Sequence, residues 1–155
     1  MSRFEINYFA SLALALAILA LAFVRPQWAR AVTVLMFFVA FMVNARIAVL
    51  NFSPYAHIDQ YAVFQWYRNM LHALGPYARE ILIAVTACQL AVTALLMGPW
   101  RAQLAGVVVA TFFLLALVPL GRVAAFPFPL IYIAALWVML WKLRPHTREP
   151  VADPA

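Results

Sequence analysis

The chain has 155 residues, of which 68% are hydrophobic and only 10% are charged, and its mean hydropathy is +0.92. A soluble domain of this length carries far more surface charge, so the composition excludes an ordinary soluble enzyme and favours one membrane-embedded bundle. The net charge of +6 does not indicate nucleic acid as a partner, because the basic residues flank apolar runs, where positive-inside anchoring and anionic lipid headgroups explain them.

Five apolar runs, each about as long as a bilayer is thick, predict an all-α, polytopic transmembrane bundle. The first run contains Ala-x-Ala motifs, as a cleaved signal peptide would, but its charged start is weak and its apolar run is too long. We therefore expect it to be a retained helix. The predicted unit covers residues 1–145 and precedes a disordered tail over 146–155, and its spans are 6–24, 31–50, 77–97, 102–120 and 127–143.

Small and polar residues recur at helical spacing in three of these runs, which predicts inward-facing stripes. The stripe of the second run consists of Thr33, Ala40, Asn44, Ala48 and Asn51. The stripe of the third run consists of Arg79, Thr86, Gln89 and Thr93. The fourth run has a small-xxx-small row, which would let another helix approach closely, at Ala102, Gly106 and Ala110.

The segment between the second and third runs is aromatic and amphipathic, and it predicts a helix over residues 54–74 that lies in the membrane interface. Ser53 suits an N-cap, Pro54 suits the first helical position, and Gly75-Pro76 would end the helix. One side of the helix would be apolar, with Val63, Phe64, Tyr67, Met70, Leu71 and Leu74. The opposite side would be polar, with Gln65, Arg68, Asn69 and His72.

These four polar residues are the first candidate ligand site, because arginine suits anions and the other three side chains suit carbonyl groups. A quinone or a lipid phosphate would fit them, although a solvated helix face is the simpler interpretation. Asn44 and Gln89 lie well inside apolar runs and are candidates for an internal site or for helix–helix contact. Arg46, two residues after Asn44, is a further candidate ligand residue. No catalytic residue is expected.

Metal chemistry has little support in the sequence. His57 and His72 are separated by about four helical turns and cannot share an ion unaided. No pair of histidines lies in two different spans, as a transmembrane haem would require. Cys88 is the single cysteine, which excludes an internal disulfide and a thiolate cluster. We expect no metal site.

The positions of the basic residues predict the topology. With five spans, six basic residues would lie on one side of the membrane. The other side would have Arg3, Arg122 and the charged residues of the long connector between the second and third runs. The positive-inside rule then favours a cytoplasmic C-terminus in a bacterial inner membrane. The six basic residues are Arg25, Arg30, Arg101, Lys142, Arg144 and Arg148.

From about residue 31 to 143 the layout resembles the DoxX-like family of small bacterial membrane proteins. The resemblance is carried by a hydrophobic helix, the Ser53-Pro54-Tyr55 connector, the basic turn Gly98-Pro99-Trp100-Arg101 and a closing helix. The chain departs from the family in its extra N-terminal helix, and in Asn44-Ala45-Arg46, where the family often has a Gly and a Lys. The resemblance implies a four-helix core and a link to quinone-dependent redox systems or to membrane-complex assembly.

Three functions follow as hypotheses. The first is an accessory subunit or assembly factor of a bacterial membrane complex, which would have partner membrane proteins or further copies of the chain and a quinone as the candidate cofactor. The second is a quinone-binding subunit of an oxidoreductase, which would need a redox centre on another protein. The third is a small-solute transporter or channel, which would need a continuous polar path across the bilayer.

Overall fold

The computed structural model describes residues 3–50, 62–124 and 126–145. Within them lie six α-helices and two 3₁₀ segments, Gly75–Tyr77 and Val118–Ala124, and no β-strand, so the all-α class is confirmed for the described chain. The helices are α1 (Arg3–Val24), α2 (Pro26–Leu50), α3 (Gln65–Leu74), α4 (Ala78–Met97), α5 (Trp100–Leu117) and α6 (Phe128–Lys142). The predicted tail over 146–155 lies outside the described residues.

Three helical stretches are long and apolar enough to cross a membrane, namely Pro26–Leu50, Gln65–Met97 and Trp100–Gly121. The 25 residues of α2 extend over about 37 Å, more than the ~30 Å hydrocarbon core of a bilayer. Two further apolar helices, Tyr8–Val24 and Phe128–Lys142, are shorter. Most residues of the three long stretches are not buried inside the protein, as expected of helices that contact lipid.

The helices form a closed ring in which α2 packs on α4, α4 on α5, α5 on α6, α6 on α1 and α1 on α2. The core between them is made of small and branched side chains, with Ala22, Val92, Leu96, Val107 and Ala110 fully buried. The predicted stripes face this interior: Thr33, Thr86, Gln89 and Thr93 are buried, whereas Arg79 is exposed. Asn51 lies outside the described residues.

The small-residue row of α5 packs against α4 at very short range. A Cβ atom on Gly106 would lie 3.0 Å from the Cβ of Leu95 and 3.4 Å from the side chain of Leu96. Gly106 and Ala110 are buried, and Ala102 is partly buried. The two helices can therefore approach this closely because Gly106 has no side chain.

The helix between the second and third spans is shorter than predicted. It begins at Gln65, and Ala62–Phe64 before it are not helical. Phe64 is extended, with φ −96° and ψ 133°, and the N–H of Val63 donates a hydrogen bond of 2.9 Å to the carbonyl oxygen of Pro119. This tertiary hydrogen bond takes the place of a helical one, so a continuous helix over 54–74 is not present. Residues 54–61 lie outside the described chain.

α3 ends at Gly75-Pro76 as predicted, but the chain continues without a break into a 3₁₀ turn and then α4. Gly75 has right-handed helical dihedral angles, φ −50° and ψ −44°, and its N–H donates to the carbonyl oxygen of His72. Pro76 has no N–H to donate to the same oxygen four residues earlier, so the chain tightens into a 3₁₀ turn before α4 begins. The pair thus ends α3 and links it to α4 through a change of helix type.

Candidate functional site

A cavity of about 960 Å³ lies among α2, α3, α4, α5 and the start of α6. This volume is at the upper end of the range typical of small-molecule sites. Its walls are mainly apolar, and they include Met36, Phe37 and Ala40 of α2, Leu82 and Val85 of α4, and Phe113, Leu114 and Leu117 of α5. On α3, the predicted apolar side contributes Tyr67, Met70, Leu71 and Leu74. The cavity is partly enclosed and partly open.

The polar feature of this cavity is a pair of side-chain amides. Asn44 Nδ2 donates a hydrogen bond of 3.0 Å to Gln89 Oε1, across 45 residues of sequence. Both side chains line the cavity, and Gln89 is only 4% exposed. The structure therefore brings together the two intramembrane polar residues that the stripes of α2 and α4 singled out.

The amide pair lies well below the ends of its helices. Asn44 precedes the last residue of α2 by six positions, about 9 Å along the axis. Gln89 follows the first residue of α4 by eleven positions, about 16 Å along the axis. The pair is thus set among apolar residues, where an amide without a hydrogen-bond partner is costly.

Three further polar side chains line the cavity. Tyr67 Oη donates a hydrogen bond of 2.6 Å to the carbonyl oxygen of Ala116, and Tyr132 Oη contacts Met36 Sδ at 3.7 Å. The third is His72, which has an interaction of its own. Of the four polar residues predicted to form a site on the interfacial helix, His72 is the one that reaches the cavity.

The other candidate residues do not line it. Gln65 Nε2 donates to Asn69 Oδ1 at 3.0 Å along the exposed side of α3, which is an ordinary i, i+4 contact. Arg68 is exposed and donates a hydrogen bond of 3.0 Å from one Nη atom to the carbonyl oxygen of Ala62, so it holds the backbone before α3. Arg46 is exposed and lines no part of the cavity.

The end of α5 and the 3₁₀ segment after it hold α3 over the cavity, and the sequence patterns did not predict this. Pro119 has no N–H for the carbonyl oxygens three and four residues before it, so the end of α5 is rich in acceptors. One of these oxygens, on Ala116, accepts from Tyr67, and the oxygen of Pro119 itself accepts from the N–H of Val63. A proline inside an apolar run was the available signal, because it frees backbone acceptors.

The remaining buried hydroxyls of α4 serve their own helix. Thr86 Oγ1 donates to the carbonyl oxygen of Leu82 at 2.7 Å, and Thr93 Oγ1 donates to that of Gln89 at 2.8 Å. These contacts satisfy the hydroxyl donors without a ligand. Cys88 is a partly buried free thiol. His57 and its neighbour Asp59 lie outside the described residues.

Replacement of the amide pair tests its contribution to the fold. Asn44→Leu and Gln89→Leu should each destabilise the bundle, because each leaves the other amide without this partner. The double variant should lose less than the sum of the two, with a coupling free energy of about 0.6 kcal/mol and at most about 1.7 kcal/mol. Unfolding of the four proteins in mild detergent gives this value. Asn44→Leu combined with Thr111→Val is the control and should be additive, and additivity in the amide pair would contradict the coupling.

The chemistry of this site comes from its own residues: apolar walls, one amide pair and two tyrosine hydroxyls already in contact with other groups. Such a surface suits a lipid-soluble molecule with few polar atoms. No protein-family model matches the chain, and neither a curated protein nor a solved structure matches it.

Proposed function

We propose that this chain is a small multi-pass protein of the bacterial inner membrane that binds a lipid-soluble ligand and serves as an accessory subunit of a membrane complex. The observation that carries the proposal is the 960 Å³ cavity with the Asn44–Gln89 pair in its wall. A partly enclosed, mainly apolar space with a few polar groups in its wall is typical of a small-molecule site. A quinone is the candidate ligand, since it combines ring carbonyls with a long apolar tail.

The proposed topology has five spans, formed by α1, α2, α4, α5 and α6, with α3 at one end of the bundle. Arg25 and Arg30 would then lie at the opposite end, together with Arg101, Lys142 and Arg144. This distribution supports a cytoplasmic C-terminus. It also places α3, which contributes to the wall of the cavity, on the outer side.

A quinone-binding subunit of an oxidoreductase is the second candidate, and the same cavity favours it. In that case a partner protein would carry the redox centre. Transport has less support, because the hydroxyls of Thr86 and Thr93 are directed to their own helix and do not extend the amide pair into a polar path. The accessory role agrees with what the resemblance to DoxX-like proteins implies.

The test is native mass spectrometry of the protein purified gently from its own membrane, with extraction of lipids and quinones from the same sample. We expect a partner protein at fixed stoichiometry and about one bound lipid-soluble molecule per chain. A lone chain with bound quinone would favour the oxidoreductase subunit. A lone chain with bulk lipid only would contradict both roles.

A cavity-filling variant links the bound molecule to this site. Ala40 lines the cavity from α2, and Ala40→Trp would occupy its interior, so we expect the bound molecule to be lost. The matched control is Val39→Trp, one residue earlier, where the side chain is 51% exposed on the outer surface of the same helix. The control should retain the bound molecule. Equal retention by both variants would place the ligand elsewhere.

A further inference from the structure

The amide of Gln89 has a donor atom as well as an acceptor atom at the cavity. Its Oε1 accepts from Asn44 Nδ2, and Nε2 is not the donor in any of the side-chain hydrogen bonds described above. The residue is 4% exposed and lines the cavity, and Nε2 is not among the fully buried polar atoms of the described residues that lack a partner. An amide N–H that faces apolar walls loses free energy unless an acceptor reaches it. The donor therefore calls for an acceptor atom inside the cavity.

The neighbouring polar groups do not supply that acceptor. The hydroxyl of Tyr67 is directed to Ala116, and that of Tyr132 contacts Met36. Asn44 donates to the other atom of the Gln89 amide, and His72 has an interaction of its own. Among the described cavity-lining side chains, Gln89 is thus one whose donor is available to a ligand.

The walls also restrict the charge of a ligand. None of the described residues that line the cavity is a lysine, arginine, aspartate or glutamate. Transfer of an ionised group into such surroundings is strongly unfavourable without a partner of opposite charge. The ligand that fits is uncharged and mainly apolar, and it carries an oxygen that accepts a hydrogen bond.

From these observations we infer that the cavity recognises the carbonyl oxygen of an uncharged, lipid-soluble molecule through a hydrogen bond from Gln89 Nε2. This inference rests on the proposed function, because it specifies the class of molecule that the cavity binds. Asn44 holds the amide of Gln89 in the orientation that directs its N–H groups to the ligand. The carbonyl can come from two sources, the ester of an acyl lipid or the ring of a quinone.

The test compares ligands that share an apolar body but differ in the acceptor. Full-length protein in nanodiscs is incubated with radiolabelled methyl palmitate, a decyl-substituted benzoquinone or hexadecane, and binding is measured against empty nanodiscs. We expect one or both carbonyl compounds to bind more tightly than hexadecane. In Gln89→Met, which keeps the length of the side chain but has no donor, this preference should fall roughly three- to tenfold.

Three controls make the result decisive. Thr86→Val removes a buried polar group whose donor already serves Leu82, and it should leave the preference unchanged. Hexadecane binding by the Gln89 variant shows that its cavity is intact. If Gln89→Met does not insert into the membrane, Gln89→Leu takes its place. Palmitate, which is charged, should bind more weakly than its methyl ester.

The outcomes separate this inference from the proposal on which it rests. Loss of preference for only one carbonyl compound supports the inference and identifies the source as ester or quinone. An unchanged preference in the Gln89 variant overturns the inference, and so does equal binding of all three probes by the unaltered protein, although a ligand cavity would remain. Binding of no probe above the level of empty nanodiscs overturns the proposed function as well.

Discussion

Gly121→Ala is expected to lower the free energy of unfolding by about 2–4 kcal/mol. Gly121 has φ +61° and ψ −126°, a conformation that residues with a side chain adopt only at a cost. In addition, a Cβ atom at this position would overlap the side chain of Val63. The substitution should therefore both strain the chain after α5 and push away the segment that holds α3.

Thermal unfolding in mild detergent measures this effect, with Gly75→Ala as the matched control. Gly75 has ordinary helical dihedral angles, and a Cβ atom there would have no atom within 4 Å. The control should be neutral or stabilise the protein by about 0.4–1 kcal/mol, because alanine restricts the unfolded chain. Equal destabilisation by the two substitutions would contradict the strain and the contact with Val63.

Gly106→Leu should destabilise the bundle by about 1–3 kcal/mol through overpacking. Even the first atom of a side chain at this position would lie 3.0 Å from the Cβ of Leu95. The remaining carbons of a leucine have no space unless α5 moves away from α4. Such a movement would also alter the cavity, because both helices contribute to its walls.

The control for this prediction is Ala105→Leu, one residue earlier on α5. Ala105 is exposed, so a larger side chain there can extend outward without contact with α4. Unfolding of the two variants in the same detergent gives the comparison, and we expect the control to stay within about 0.5 kcal/mol of the unaltered protein. Similar losses in both variants would show that the loss at Gly106 does not come from close helix packing.

Helical periodicity was sufficient to find the amide pair. Asn44 and Gln89 each lie on a stripe of small or polar residues, and apolar surroundings force such residues inward towards one another. The same argument identified the small-residue row at Gly106. Each of these features consists of residues on one face of a straight helix. Which residues share such a face follows from their spacing in the sequence alone.

The segment before α4 could be predicted only in part. Periodicity correctly grouped Tyr67, Met70, Leu71 and Leu74, and these residues face the cavity. It could not show that the helix begins at Gln65, because the N–H of Val63 donates its hydrogen bond to the carbonyl oxygen of Pro119, 56 positions away. The prediction of a ligand site on the polar side of this helix gains little support from the structure. Gln65 and Asn69 form a hydrogen bond with one another, and Arg68 donates to the backbone carbonyl oxygen of Ala62.

The cavity itself had no signal in the sequence. Its volume depends on how five helices and two 3₁₀ segments are arranged. Residues such as Leu82 and Phe113 would be predicted as core residues in any helical bundle. His72 was a candidate for its chemistry, yet its position at the cavity follows from the docking of α3 on the end of α5. Such long-range placement depends on tertiary contacts that no local pattern encodes.

The pairing of α1 with α6 has a consequence for biosynthesis. About 100 residues separate the two helices, so at ~5–20 residues per second a ribosome needs roughly 5–20 s to produce α6 after α1 has left it. During that time the face of α1 with Ala15, Ile18 and Ala22, buried in the finished bundle, has no α6 to cover it. The newly made chain must keep this face in lipid or in the insertion machinery until α6 arrives, and the ring closes only after α6 has been made.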